Sequence, residues 1–248
     1  MSPLLEIEGL SKNFGSLIVT RDVSLAIAPA ERHVIIGPNG AGKTSLLNQI
    51  GGQLAPSAGR ILLRGTDIAG LSPDRICRLG VGRTFQKNNL FARLCVRENV
   101  ALAVQAARAN AWNPFPPRAS RAMVAARAEA VLESVHLTHA SGRPVATLSY
   151  GEQRQLEIGL ALASDPALLL LDEPTSGMSP AETARMIALI ASLPRDLTIM
   201  MIEHDMEVVF SVADRITVLH YGEVLATGTP AEIRENPLVR EVYLGGHH

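Results

Sequence analysis

The sequence is poor in cysteine, in long apolar runs and in charge of one sign. Among its 248 residues only Cys77 and Cys95 are cysteines, which excludes a disulfide framework and fits a reducing compartment. Apolar stretches such as 167–171 and 197–202 are far shorter than the roughly 18 residues needed to cross a bilayer. Any membrane role is therefore expected to depend on another subunit. The start of the chain lacks the basic region and apolar run of a secretory signal, and we expect none.

The charge balance and the apolar content define the class of protein. The 23 Lys and Arg residues nearly match the 24 Asp and Glu residues, which argues against a dedicated nucleic-acid binder with a strongly basic face. With 47% apolar residues the chain can bury a sizeable core, so disordered and fibrous architectures are excluded. One α/β domain with an inserted lobe and two small domains are both compatible with this length.

The apolar pattern predicts alternating strands and helices. Short connections between them predict a parallel sheet that is covered on both faces. From about residue 90 to residue 159 the chain becomes Ala-rich and helical in pattern, which predicts an inserted helical lobe. Strands are predicted at 5–10, 23–27, 34–36, 168–171 and 198–202, helices from 44 and over 181–192, and a hairpin around 221–222.

Residues 37–44 read Gly-Pro-Asn-Gly-Ala-Gly-Lys-Thr and carry a phosphate-binding pattern. Glycines allow the backbone to curl so that successive N–H groups point at phosphate oxygens. Lys43 adds a positive charge, and the Thr44 hydroxyl can ligate Mg²⁺ at the start of a helix whose dipole favours anions. A glycine-rich turn that merely caps a helix is the alternative, but the position after a buried strand favours nucleotide binding.

Two acidic residues follow the predicted strand 168–171. Acids just beyond the carboxyl end of a parallel strand lie where ligands bind in such sheets. We expect Asp172 to hold Mg²⁺, directly or through water, and Glu173 to polarise an attacking water. Alone, Asp-Glu-Pro would more often be a turn or a helix cap, whereas the phosphate-binding pattern favours the catalytic interpretation.

Ser149 and Glu152 have the spacing of a capping box that opens a helix. The N-terminus of this helix, around Ser149 and Gly151, could also bind a phosphate. The spacing of Ser149 and Glu152 does not distinguish a helix cap from a phosphate-binding site.

Taken in order, the phosphate loop, Gln86, the segment 148–153, the segment 168–174 and His204 resemble the nucleotide-binding subunits of ATP-binding-cassette (ABC) transporters. The match runs from about residue 4 to residue 245. The resemblance implies a P-loop NTPase fold: a RecA-like α/β core, an antiparallel β region on the N-terminal side and an inserted α-helical subdomain. It further implies hydrolysis of ATP with Mg²⁺ and two cassettes paired head to tail.

The same resemblance implies roles for individual residues. Ser149, Gly151 and Glu152 would belong to a signature that meets the nucleotide held by the partner cassette. Gln86 would sense Mg²⁺ and the attacking water, and His204 would contact the γ-phosphate. Phe14 occupies the position of an aromatic that stacks on adenine, although a lone Phe after a strand is usually a core residue. The nucleotide-binding loop would comprise Asn39, Gly40, Ala41, Gly42, Lys43, Thr44 and Ser45, with Thr44, Gln86 and Asp172 as metal ligands and Glu173, His204, Gln86 and Lys43 as catalytic residues.

One position departs from the family pattern. Where the family commonly has Ser-x-Leu-Asp after the acidic pair, this chain has Ser176-Gly177-Met178-Ser179. A hydroxyl at Ser179 does not supply a carboxylate, which puts communication across the dimer in doubt.

Several segments are similar to a narrower subfamily, the ATPases of branched-chain and related polar amino-acid uptake. They are 80–86, 90–91 followed by 96–100, 150–157, 202–206 and, in the tail, 236–237 followed by 242–245. The implied partners are a second ATPase subunit, identical or different, membrane permease subunits and, indirectly, an extracytoplasmic solute-binding protein, with no nucleic acid. The location would be peripheral, on the cytoplasmic face of the inner membrane.

These segments leave the cargo open, since urea and amide uptake systems have similar ATPases. A soluble ABC ATPase of DNA repair or translation and a regulator without turnover are weaker alternatives. We expect the core to comprise 1–88 and 160–228, the helical subdomain 89–159 and a tail 229–248.

Overall fold

The computed structural model describes residues 2–84, 90–107 and 118–244. Ten strands and nine α-helices lie in these ranges. The strands are β1 (Leu5–Phe14), β2 (Leu17–Ile27), β3 (Arg32–Ile36), β4 (Ala58–Leu63), β5 (Thr66–Asp67), β6 (Val81–Arg83), β7 (Leu168–Asp172), β8 (Thr198–Ile202), β9 (Arg215–His220) and β10 (Glu223–Gly228). The helices are α1 (Lys43–Ile50), α2 (Pro73–Arg78), α3 (Val96–Ala106), α4 (Arg118–Ser134), α5 (Tyr150–Leu162), α6 (Pro180–Ser192), α7 (Met206–Val212), α8 (Pro230–Glu235) and α9 (Pro237–Val239).

The strands form two sheets. The first is antiparallel, in the order β2-β1-β4-β5, with Leu5 opposite both Ile27 and Leu63. The second has the order β10-β9-β3-β8-β7-β6, and β3 runs parallel to both β8 and β9. The predicted antiparallel region and the predicted parallel sheet are both confirmed.

The central strands of the second sheet are buried along their whole length. Every residue of β3, β7 and β8 is buried, as expected of largely apolar strands that are covered on both faces. The predicted hairpin is also confirmed: β9 and β10 pair antiparallel, with His220 opposite Glu223 around Tyr221-Gly222.

The chain divides into two compact units. The phosphate-loop unit comprises residues 2–76, 170–173 and 195–244 of the described chain. The helical unit comprises 77–84, 90–107, 118–169 and 174–194. In the helical unit α3, α4 and α5 pack on one another around buried residues such as Val100, Leu132 and Leu156. The segment boundaries expected from the sequence stay predictions.

Candidate functional site

The loop between β3 and α1 is shaped by glycines at three positions. Gly37, Gly40 and Gly42 all have positive φ, of 153°, 80° and 95°. A Cβ at Gly37 would lie 2.2 Å from the carbonyl oxygen of Leu219, and one at Gly42 would lie 2.4 Å from that of Val19. A Cβ at Gly40 would meet no atom of the described residues within 4 Å. Close backbone packing therefore requires glycine at 37 and 42, and no such contact is found at Gly40 in the described ranges.

Helix α1 starts after Gly42, its N-cap, which has no side chain to cap the helix. Within the part of the chain that the structure describes, no side-chain hydrogen bond caps α1, and its first turn contains no acidic residue. Thr44 and Ser45 are half-buried in this first turn, and Asn39 in the preceding loop is exposed. The positive end of the helix dipole at this place favours negative charge.

Lys43 is almost fully buried inside the loop. Its Nζ donates to the carbonyl oxygens of Gly37 and Pro38, at 2.8 and 3.0 Å. Burial lowers the pKa of Lys43, while the carboxylates of Glu173 and Asp172 act in the opposite direction. The loop therefore holds a cation against its own carbonyls and close to two acids.

The acidic pair lies at the carboxyl end of β7. Asp172 is the last residue of the strand and is 4% exposed. Glu173 is half-buried with φ of 47°, and its N–H donates to the carbonyl oxygen of Ile202 at 3.0 Å. This hydrogen bond joins the first residue after β7 to the last residue of β8.

His204 follows β8 and presents its ring to solvent. Its side chain is 58% exposed, whereas the preceding Glu203 is fully buried. Glu203 Oε2 accepts the N–H of His204 at 3.2 Å and lies 3.9 Å from His204 Nδ1. The sequence prediction missed Glu203, because a carboxylate beside a histidine gives no sign of being buried.

In the helical unit, the capping box of α5 is confirmed. Glu152 N donates to Ser149 Oγ at 3.2 Å, and Ser149 N donates to Glu152 Oε2 at 2.8 Å. Arg143 and His139 also approach Glu152 Oε1, at 3.2 and 3.4 Å. Burial alone would raise the pKa of Glu152, but the hydrogen bonds from Ser149 and His139 and the charge of Arg143 lower it overall.

The segment after the acidic pair is bonded to α5 at two places that the sequence prediction missed. Tyr150 Oη donates to the carbonyl oxygen of Ser176 at 3.1 Å. Gly151 N donates to Glu182 Oε1 at 3.3 Å. A cavity of about 480 Å³ lies here, lined in part by Ser149, Gly151 and Glu182.

Two remaining predicted residues have different outcomes. Phe14 is not a core residue: it is 52% exposed, and Lys12 Nζ lies 4.9 Å from its ring centroid. Stacking on adenine stays a prediction. Gln86 lies outside the residues that the structure describes.

The described residues contain neither a cluster of metal-ligating side chains nor a membrane-spanning helix. In residues 2–84, 90–107 and 118–244, no group of three or more His, Cys, Asp and Glu side chains is placed to hold a metal ion. Within the same ranges no helix is both long enough and apolar enough to span a bilayer.

Comparison with known proteins agrees with this geometry. The family model described as "ABC transporter" matches residues 20–176, and that of the "Branched-chain amino acid ATP-binding cassette transporter" matches residues 223–248. The chain is 42% identical over 250 residues to the high-affinity branched-chain amino acid transport ATP-binding protein LivG of Escherichia coli K12, covering 98% of each chain.

Two solved structures share the fold. MJ1267, an ATP-binding cassette of an ABC transporter in its ADP conformation, has a TM-score of 0.84 and 27% identity, covering 99% of this chain and all of that one. The ATP-binding cassette MJ0796, a dimer bound to ADP and phosphate after hydrolysis, has a TM-score of 0.75 and 25% identity, covering 91% of this chain and 98% of that one. The chain therefore belongs to the ABC transporter family, as a subunit that binds and hydrolyses ATP.

Proposed function

We propose that this chain drives the import of branched-chain or related polar amino acids. Two similarities together support the proposal. The chain is similar to LivG over nearly its whole length, and its C-terminal segment matches the branched-chain subfamily. The cargo is selected by other subunits, which are separate permeases and an extracytoplasmic solute-binding protein. This chain would lie peripherally on the cytoplasmic face of the membrane.

The loop from Asn39 to Ser45 binds the phosphates of ATP. Support comes from the start of α1, which no side chain in the described ranges caps, and from the positive φ of Gly40 and Gly42. Lys43 Nζ donates to two loop carbonyl oxygens and would exchange one of these bonds for a bond to a phosphate oxygen. Phe14, exposed at the end of β1, stacks on the base.

Thr44 and Asp172, with Gln86, hold Mg²⁺. The donor set fits this ion, because Mg²⁺ takes hard oxygen ligands and is bound by one or two carboxylates together with substrate phosphates rather than by an all-protein cage. When bound, the ion would neutralise charge on the phosphate oxygens.

Glu173 orients and deprotonates the attacking water. The hydrogen bond to Ile202 fixes the backbone of Glu173. Its carboxylate therefore extends from a fixed position at the end of β7, close to Lys43. His204 and Lys43 stabilise charge on the transferred phosphoryl group. The ring of His204 is exposed, which allows it to meet a γ-phosphate, and Glu203 Oε2 lies 3.9 Å from its Nδ1.

Two cassettes, identical or different, complete the site. Ser149 and Gly151 of each cassette contact the γ-phosphate held by the other, and Glu152 belongs to the same signature segment. The MJ0796 dimer with ADP and phosphate supports this arrangement.

The test uses the complex that co-purifies from membranes with this chain. Glu173→Gln should abolish steady-state ATP hydrolysis while ATP binding persists, and Glu223→Gln, at an exposed ion pair with Arg21, should leave both unchanged. Leucine, isoleucine or valine with the solute-binding protein should stimulate hydrolysis, and urea should not. Normal turnover in Glu173→Gln would disprove the assigned role of Glu173, and stimulation by urea would disprove the cargo.

A further inference from the structure

Helices α6 and α8 begin with the same four-residue pattern. Residues 179–182 read Ser-Pro-Ala-Glu and residues 229–232 read Thr-Pro-Ala-Glu. In both, the first residue is the N-cap, proline follows at the first helical position, and the glutamate closes a capping box. Glu182 Oε2 accepts the N–H of Ser179 at 3.0 Å, and Glu232 Oε2 accepts that of Thr229 at 2.7 Å.

The two glutamates differ in what else they touch. Glu182 Oε1 accepts the N–H of Gly151, in the first turn of α5, at 3.3 Å. A Cβ at Gly151 would lie 3.1 Å from this oxygen, so the carboxylate sits close over the glycine. Glu232 instead lies against Gly228, next to its own helix cap, where a Cβ would be 2.8 Å from Oε2. Of the two capping boxes, the one at α6 therefore contacts α5 through Glu182, whereas Glu232 of the other lies against Gly228.

The contact at Gly151 places a negative charge at the positive end of the α5 dipole. Glu152, the acidic residue of the first turn of α5 itself, is already bonded to Ser149, Arg143 and His139. The Glu182 carboxylate also borders the cavity of about 480 Å³ beside Ser149 and Gly151.

We propose that the Glu182 carboxylate is an intramolecular competitor of the partner-held ATP phosphate for the N–H of Gly151. The proposal rests on the function proposed above, in which Gly151 meets that phosphate. In the absence of ATP the carboxylate satisfies the donor. An arriving γ-phosphate must displace it and, until it does, is repelled by a like charge at the same donor.

Glu182 would thus set the ATP concentration at which two cassettes close. Ser179 helps to position this carboxylate, because its Oγ donates to Glu182 Oε2 at 2.7 Å. Glu182 is a positioning residue in this scheme, since it acts through Gly151.

The experiment measures the ATP dependence of hydrolysis by the membrane-purified complex. Glu182→Gln keeps the side-chain length and an acceptor oxygen but removes the charge. A charge-assisted hydrogen bond is about twice as strong as a neutral one, so we expect the KM for ATP to fall roughly three- to tenfold, without a matching rise in kcat. Glu182→Asp keeps the charge but is too short to reach Gly151 from the same position, and it should also lower the KM.

Glu232→Gln is the matched control, because it weakens the same kind of box away from α5. It should leave the KM for ATP unchanged. An unchanged or raised KM in Glu182→Gln, or an equal fall in Glu232→Gln, would overturn the inference. Glu173→Gln, assayed in parallel, separates the two hypotheses: if it abolishes turnover while Glu182→Gln leaves the KM unchanged, only the role of Glu182 fails.

Discussion

The glycines of the phosphate loop allow backbone conformation, backbone packing and ligand contact to be tested separately. Gly40, Gly42 and Gly70 all have positive φ, of 80°, 95° and 71°. An added Cβ at Gly42 would collide with the Val19 carbonyl oxygen, whereas at Gly40 or Gly70 it would meet none of the described atoms within 4 Å. Gly70 follows β5, outside the loop, and is therefore the control for φ alone.

The expected costs follow from these contacts. Placing alanine at positive φ costs about 1–2 kcal/mol, which applies to all three substitutions. At Gly42 the Cβ must also move by about 1 Å to reach an ordinary contact distance, and overpacking of this kind adds roughly 1–3 kcal/mol. One kcal/mol corresponds to about 2–4 °C in Tm for a protein of this size. Gly40→Ala and Gly70→Ala should thus lower Tm by about 2–8 °C, and Gly42→Ala by more.

Thermal unfolding without nucleotide and equilibrium ATP titration measure the two effects. Gly42→Ala should show the largest fall in Tm and should lose ATP affinity, because the start of α1 shifts. Gly40→Ala should match Gly70→Ala in Tm but bind ATP more weakly, since its methyl group lies in the loop that receives the phosphates. Equal Tm values for Gly42→Ala and Gly40→Ala would refute the packing argument, and equal ATP affinities for Gly40→Ala and Gly70→Ala would refute the ligand argument.

Two further predictions concern contacts away from the loop. Tyr150→Phe removes the donor to the Ser176 carbonyl oxygen, so steady-state hydrolysis should slow while equilibrium ATP binding is retained; an unchanged rate would contradict this. Burial alone would raise the pKa of Glu31, but hydrogen bonds with His33 and the Ala28 N–H lower it overall. The ionised Glu31 therefore stabilises the folded protein above about pH 4.5, and this stabilisation is lost as pH falls through the folded-state pKa. Glu31→Gln should therefore cost about 1 kcal/mol in urea unfolding at pH 7 and less below pH 4.5, and equal costs at both pH values would contradict the assignment.

The strands and helices with strong apolar patterns were predictable from the sequence. Strand 198–202 and the hairpin around Tyr221-Gly222 were placed correctly, because continuous or alternating apolar residues bounded by turn residues give a clear local signal. Strands β4, β5 and β6 were not predicted. β4 begins with three exposed residues, β5 has two residues and β6 has three, so their pattern is too short or too polar to detect.

The candidate site was predictable where its residues are adjacent in sequence. The phosphate loop and the Ser149 box depend on spacings of a few residues, which the sequence displays directly. Glu182 gives a local signal as well, since Ser-Pro-Ala-Glu predicts a capping box, but its bond to Gly151 spans 31 residues. No short pattern reports such a contact.

The sequence alone determined the phosphate loop, the helix caps and the class of fold, because backbone conformation and hydrogen-bond spacing depend on near neighbours. The tertiary structure decided which side chains and backbone groups meet across long separations. It placed β3 between β8 and β9, set Val19 against Gly42, and brought Glu182 to Gly151. These contacts arise from the packing of whole elements, and packing depends on every residue that shares the core.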